Sequence, residues 1–323
     1  MRSSMNRAAC AACLAFAVTL SAQALADDNY PSRAVRVIVP FAAGGATSVI
    51  ARLVAQKLSD EWRQPVIVDN RPGGATAVGT EVVFRSAPDG YTILFGSSSF
   101  AINATLRKTP YDPIRDFAPV TRLTRSPYVL VVHPKLPTGT LKAFIALAKS
   151  RPGELDYAST GAANHLATEL LALTANIKMN HIPYKGGGPA INDLLGGHVQ
   201  VHITTAVNMI PLLDNGRLKG LAITGDERLP ALPKLPTFIE AGLPEFNSNN
   251  WNGALVPAKT SRPIVARLAT DIGKVLQMPD VREKLDAQGN FAWGSTPEQF
   301  ASLIKAEIDR FAYVVKAAGI KTE

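Results

Sequence analysis

The 323-residue chain sets 34 Lys and Arg against 26 Asp and Glu, a net charge of +8, with no basic cluster, zinc-finger spacing or aromatic stacking motif. That argues against nucleic acid as a partner. Its two cysteines, Cys10 and Cys13, both fall in the first 26 residues, which excludes a disulfide framework for the rest. The mildly basic balance suits an anionic small ligand, though on composition alone it reads first as a generic solubility charge.

Residues 1–26 combine Arg2 and Arg7, an apolar run from Ala8 to Leu20, and a small-x-small ending at Ala24 and Ala26. This is the pattern of a secretory signal peptide cleaved after Ala26. The run is shorter than the roughly 20 residues that span a bilayer, and no later stretch is long enough. Cleavage leaves 297 residues with 32 basic and 26 acidic side chains, net +6. That is enough chain for one large domain or two medium ones, in a periplasmic product.

Val35, Val37, Ile38 and Val39 predict a strand buried in a parallel sheet and stopped by Pro40. Gly44 and Gly45 then permit backbone conformations closed to other residues and a close approach of ligand. Thr47 or Ser48 offers a hydroxyl cap to a helix whose stripe is Val49, Ile50, Leu53, Val54 and Leu58. The free N–H groups and dipole of its first turn attract a carboxylate or phosphate. Neither a G-x-x-x-x-G-K-[ST] nor a G-x-G-x-x-G motif is present, so nucleotide binding has no support.

Val66–Val68 reads as a strand, Asp69–Gly74 as a turn, and Ala75–Ala87 as a helix stopped by Pro88-Asp-Gly90. The strand Tyr91–Phe95 runs into a second small-residue loop, Gly96 to Ser99. Ligand crevices lie beyond the carboxyl ends of strands in open α/β sheets, which sets this loop on the same rim as Gly44–Ser48. Pro119–His133 is a long strand-like segment, broken at Ser126-Pro127, that crosses from one domain to another. Thr140 caps a helix to Ser150. Leu155–Ala158 is a strand delivering the loop Ser159–His165. A strand His181–Tyr184 follows, then a helix from Pro189 with Ile191, Leu194 and Leu195 buried. Val199–Thr205 is a strand ending in Thr204 and Thr205; a helix from Asn208 to Asn215 and a strand Leu218–Thr224 complete the set. Trp251–Val256 is a further strand, and three helices close the chain. The last has Thr296 as cap, Pro297 first, a capping box through Gln299, and the stripe Phe300, Leu303, Ile304, Ile308, Phe311 and Val315. It is expected to pack back on the N-terminal domain. The division is therefore residues 27–125 with 226–323 as one domain and 126–225 as a second, inserted one, a hinge architecture.

The segments Tyr30-Pro-Ser, Pro40-Phe-Ala-Ala-Gly-Gly45, Gln64-Pro-Val-Ile-Val-Asp-Asn-Arg-Pro-Gly73, Ala87-Pro-Asp-Gly-Tyr91, Tyr111-Asp-Pro, Pro183-Tyr-Lys-Gly-Gly187, Asp193-Leu-Leu-Gly-Gly197 and Glu240-Ala-Gly-Leu-Pro244 resemble, in matching order, the Bug family (UPF0065), the extracytoplasmic solute receptors of tripartite tricarboxylate transporters. The resemblance covers essentially the whole mature chain. It implies a type II periplasmic binding protein with two α/β domains, a ligand cleft, two hinge crossings and no catalysis, cofactor or metal. Its implied partners are a small carboxylate and the large and small membrane subunits of the transporter, with the receptor a monomer. The loops the family uses fall here on Phe41–Ser48 and Ser159–His165. With the neighbouring loop and the end of the later strand, the candidate contacts are Phe41, Ala43, Gly44, Gly45, Thr47, Ser48, Ser97, Ser98, Ser159, Thr160, Gly161, Asn164, His165, Thr204 and Thr205.

The family commonly has Asp where this chain has Ser48, and an Asp-Asn pair where it has Thr204-Thr205; the Ser159–His165 loop also looks shorter. Hydroxyls in place of carboxylates remove the groups that pair an ammonium, and favour a dicarboxylate or aromatic acid over an amino acid. His165 reads equally as a ligand contact or a structural hydrogen bond. His202, inside a strand, reads as structural. Arg125 reads as a hinge ion pair or an exposed side chain before an anion contact. Tyr184 and Lys185 read as turn chemistry. Two alternatives stand beside the transport receptor: a periplasmic hydrolase, which lacks a G-x-S-x-G elbow at Gly96–Phe100, and a receptor that signals to a sensor kinase.

Overall fold

The computed structural model describes residues 30–184, 187–206, 209–246 and 248–322, so the signal peptide and its cleavage point lie outside the described residues. The elements run β1 (Val35–Val39), α1 (Ala46–Trp62), β2 (Val66–Asn70), α2 (Ala77–Phe84), β3 (Thr92–Ser97), α3 (Ser99–Leu106), β4 (Phe117–Val132), α4 (Leu141–Ser150), β5 (Asp156–Ser159) and α5 (Ala162–Ala175). They continue with β6 (Asn180–Pro183), α6 (Gly187–Gly196), β7 (Val201–Thr205), α7 (Ile210–Asp214), β8 (Lys219–Ile223), β9 (Asn249–Pro257), α8 (Arg262–Gln277), α9 (Pro279–Asp286), β10 (Phe291–Ala292) and α10 (Pro297–Ala317).

β1 buries apolar side chains on both faces because both are covered, with Arg36 half-buried and bonded to Asp69. Val35, Val37 and Val39 pack with Ile50, Val54 and Leu58 of α1, whereas Ile38 joins Phe100 and Phe300 on the other side. β1 pairs in parallel with β2 and β3, β3 pairs antiparallel with β9, and β9 with β4. In the second half β5 is parallel to β6 and β7, and β7 lies antiparallel to β4. The two halves thus share β4. Residues 117–127 pair with β9, and Tyr128–Val132 pair with β7, with β8 on their other side.

Several expectations change. Ser126-Pro127 does not break β4; Pro127 sits where the strand changes partners from β9 to β7, so its missing N–H falls where the ladder is already interrupted. Ala75–Ala87 is not one helix, because Ala75 and Thr76 take φ of 49° and 87° in a short 3-10 turn before α2. Gly96 and Ser97 belong to β3, and Ser99 already starts α3, so no free loop separates them. Asn164 and His165 lie within α5. The predicted helix 208–215 is the shorter α7, and Val207, Asn208 and Lys185 lie outside the described residues.

α10 has the expected capping box of Thr296 and Gln299. Its packing differs from expectation. Phe300 and Ile304 bury with Phe117 and Trp251 of the first half, but Phe311, Val314 and Val315 bury with Leu166, Leu170 and Tyr157 of the second. Residues 226–246, expected with the first domain, send Leu229, Leu232, Leu235, Phe238 and Phe246 into the clusters of residues 129–223. Phe238 N also donates to Ile223 O at 2.9 Å, extending β8.

Candidate functional site

The carboxyl ends of β1 and β3 and those of β5 and β7 converge on the middle of β4. Ser97 lies opposite Asn252, and Asn252 opposite Thr124; Thr205 lies opposite Tyr128. Four residues of strand, about 13 Å, separate these two levels.

On the first half, α1 starts at Gly45 with no side-chain cap. The predicted hydroxyl caps are the second and third helical residues and bond sideways. Thr47 Oγ1 donates to Asn252 Oδ1 at 2.7 Å, whose Nδ2 donates to Thr124 Oγ1 at 2.9 Å. Asn70 Nδ2 donates to Ser48 Oγ at 3.0 Å and to Phe41 O at 2.9 Å, tying the loop to β2. Ser98 Oγ donates to Asn250 Oδ1 at 2.6 Å, and Ser97 Oγ accepts from Ser99 N at 3.3 Å. Thr47, Ser48, Ser97 and Ser98 are therefore buried, while Ala43, Gly44 and Gly45 are exposed, with Phe41 half-buried. Gly44 has φ 84° with nothing near its missing Cβ; the turn requires glycine for conformation, not for space.

The second half repeats the plan. α5 starts at Gly161, again without a side-chain cap. Ser159, buried, shares a 2.7 Å hydrogen bond between its Oγ and His181 Nε2. Thr160 Oγ1 donates to Asn164 Oδ1 at 2.9 Å, and Asn164 Nδ2 to Ile203 O at 2.9 Å. His165 stacks on His181 with ring centroids 3.8 Å apart, and its Nε2 is 3.8 Å from Glu169 Oε1, which accepts from Tyr157 Oη. Burial, and then the neighbouring His165, lowers His181 to about 4; burial also lowers His165. His202 is in the core, donating from Nδ1 to Ala158 O at 2.9 Å, and burial lowers it to about 4. Thr204 is buried, whereas Gly161 is exposed and Thr160, Asn164, His165 and Thr205 are half-buried.

The predicted residues thus divide by exposure. Main chain of Ala43–Gly45 and Gly161, with Thr160, Asn164, His165 and Thr205, forms the accessible rim; the hydroxyls of Thr47, Ser48, Ser97, Ser98 and Ser159 hold it in place. Asn70, His181, Asn250 and Asn252, which do the holding, are absent from the predicted set. The sequence signal for two of them is Asn249-Asn-Trp-Asn252 at the head of a strand, where Asn is disfavoured unless its side chain is bonded. Arg125 is half-buried instead of exposed, and its guanidinium lies over the Trp293 ring at 4.0 Å. Tyr184 Oη donates to Asp193 Oδ2 at 2.7 Å, which ties it to α6. Ser98 and His165 lie on opposite halves, each bonded or stacked locally, so they form no nucleophile–base pair. Among the described residues no group of three His, Cys, Asp or Glu is placed to hold a metal ion.

Residues 50–320 match the tripartite tricarboxylate transporter family receptor, TctC. The chain belongs to this family. BugT of Bordetella pertussis is 41% identical to the receptor over 299 residues, which is 91% of this chain and 92% of BugT. Among solved structures, R. palustris Rpa4515 with adipate superposes with a TM-score of 0.77 at 34% identity, over 91% of this chain and 100% of that one. MatC (Rpa3494) from Rhodopseudomonas palustris with bound malate gives 0.74 at 33% identity, over 88% and 100%. The receptor is a periplasmic solute-binding protein of the TctC and Bug type with the fold of those proteins, and its relatives are binding proteins rather than enzymes, which sets the hydrolase reading aside. Among the described residues no helix is long and apolar enough to cross a membrane.

Proposed function

We propose that the receptor captures a small carboxylate lacking an amine, a dicarboxylate or aromatic acid ahead of an amino acid, and delivers it to the large and small membrane subunits of a tripartite transporter. The observation that carries this is the pair α1 and α5. Each follows the first parallel strand of its half, starts at a glycine and lacks a side-chain cap, leaving leading N–H groups and a positive dipole end for an anion. None of the rim residues named above is Asp or Glu, so nothing among them pairs an ammonium. The relatives described with adipate and malate hold acids of this class. The cleft lies between a body of residues 30–125 with 249–322 and a body of residues 128–246, joined through β4 and the return into β9; the packing of Phe238 and Phe246 supports this boundary over one at 225.

Thermal-shift measurements on residues 27–323 against aliphatic dicarboxylates, tricarboxylates, aromatic acids and amino acids test the proposal. A ligand at 100 times its Kd adds about 2.7 kcal/mol, a shift of several degrees. The expected result is a shift with a dicarboxylate or aromatic acid. A larger shift with aspartate or glutamate than with any of these would overturn the amine-free reading.

A further inference from the structure

Strand alternation alone would set Arg122 and Arg125, three residues apart, on opposite faces of β4. They share a face because the ladder slips: Arg122 lies opposite Gly253 and Thr124 opposite Asn252, so two steps along β4 match one along β9. Arg125 in turn lies opposite Trp251. This is the α10 side of the sheet, where Trp251 Nε1 donates to Glu307 Oε2 at 2.6 Å. Thr124 and Asn252, bonded toward Thr47, occupy the other side. The two arginines therefore open behind the strand crossing, away from the rim described above.

Both guanidiniums lie over one indole, Trp293, at 4.0 Å for Arg125 and 4.8 Å for Arg122. With Gly225, Asp226, Glu307 and Arg310 they line a cavity of about 200 Å³. The Nε of Arg122 and the Nε of Arg125 are each buried without an acceptor among the described residues. The one buried carboxylate in the cavity is engaged elsewhere, since Glu307 accepts from Trp251 and, at 3.1 Å, from Arg310. Asp226 and Glu227, which attract Arg125, are exposed. Burial, and then Arg125, lowers Arg122 to about 10 against the weaker attraction of Glu307, as follows where burial and a neighbouring cation outweigh one carboxylate. Buried donors lacking an acceptor call for an ion or a water, and a bulge beside a site re-aims side chains toward it.

The geometry points to a second anion site in this cavity, taking one tetrahedral oxyanion of sulfate or inorganic phosphate size between the Arg122 and Arg125 guanidiniums beside Trp293. Guanidinium forks match two oxygens of one oxyanion, which a monoatomic anion does not offer. The volume exceeds several times the ~30 Å³ share of one water, so a five-atom anion enters with part of its hydration. Bound there, it joins β4, the loop after β8 and α10.

The test is calorimetric titration of the mature protein with sodium sulfate, sodium phosphate and sodium chloride, each at constant ionic strength in a chloride-free organic buffer. Sulfate or phosphate is expected to give saturable heat at one site, with chloride at least tenfold weaker. Arg125→Gln is expected to weaken oxyanion binding at least tenfold. Trp293→Leu, at a position 36% exposed where truncation spares the core, is expected to weaken it at least threefold. Both variants retain whatever carboxylate shift the wild type shows in the thermal assay, which keeps this result separate from the fate of the transport reading. No saturable heat with either oxyanion, chloride binding as tightly, or unchanged affinity in either variant overturns the site.

Discussion

Glu307 is 3% exposed, and burial raises its carboxyl to about 7 against the opposing pull of Arg310, Trp251 and Arg122. A carboxyl whose folded pKa exceeds its unfolded value holds its proton better when folded. Its stabilising effect is complete below the unfolded value near 4.5 and is lost as pH rises through 7, a change of the order of 3 kcal/mol. His181 and His202 run the other way: lowered to about 4, they stabilise above the ordinary histidine value and lose that contribution as pH falls through 4. The trends oppose each other in mildly acid solution. Urea unfolding of Glu307→Gln between about pH 7.5 and about pH 5 is therefore expected to show a steeper loss of stability toward acid than the wild type. A parallel profile would mean that Glu307 is ionised in the native protein. Beneath the rim, Ser48→Asp would put a carboxylate under the first turn of α1, with Asn70 Nδ2 in place to bond it. It then competes with an incoming anion for the same dipole, and dicarboxylate affinity by calorimetry is expected to fall at least about tenfold, ~1.4 kcal/mol.

At the scale of elements, the contact of α10 with β9 is the tightest joint. A Cβ on Gly253 would stand 2.1 Å from Phe300 Cζ, closer than any packing tolerates. Gly253→Ala is expected to cost about 1–3 kcal/mol by overpacking, read as a fall in Tm, with Phe300→Leu in the same chain restoring part of it. At the other end of the scale, Thr296→Ala removes a reciprocal cap and is expected to cost about 1 kcal/mol. Elements of this kind were readable from sequence because their signals are local: β-branched runs for β1, the capping box of α10, Thr140 accepting from Ala143 N at the head of α4. The start of α1 was misread for a reason that is not local. Thr47 and Ser48 have acceptors and donors on Asn252 and Asn70, and a hydroxyl with a distant partner does not cap its own helix. The same cause hid Asn70, Asn250 and Asn252: each bonds across a gap that only the sheet order closes.

For the whole molecule, the succession of α/β units and the long crossing strand β4 were legible in sequence, whereas the second small-residue loop expected at Gly96–Ser99 is the end of β3 and the start of α3. Where the chain passes back was not legible. Residues 229–246 carry apolar side chains that fit either half, and the choice was made by Phe238 pairing onto β8 and meeting Phe246 edge to face at 4.4 Å, contacts with no local pattern. Nor did periodicity say that the stripe of α10 divides between two cores. That division has a mechanical consequence. A load applied at the C-terminus enters through α10, whose leading turns are seated with Trp251 and whose last turns are seated with Tyr157. Tugging there shears both cores at once instead of peeling one from the other. In an optical trap with one handle at the C-terminus, the force–extension trace should therefore show a single rip where a two-bead chain would show two.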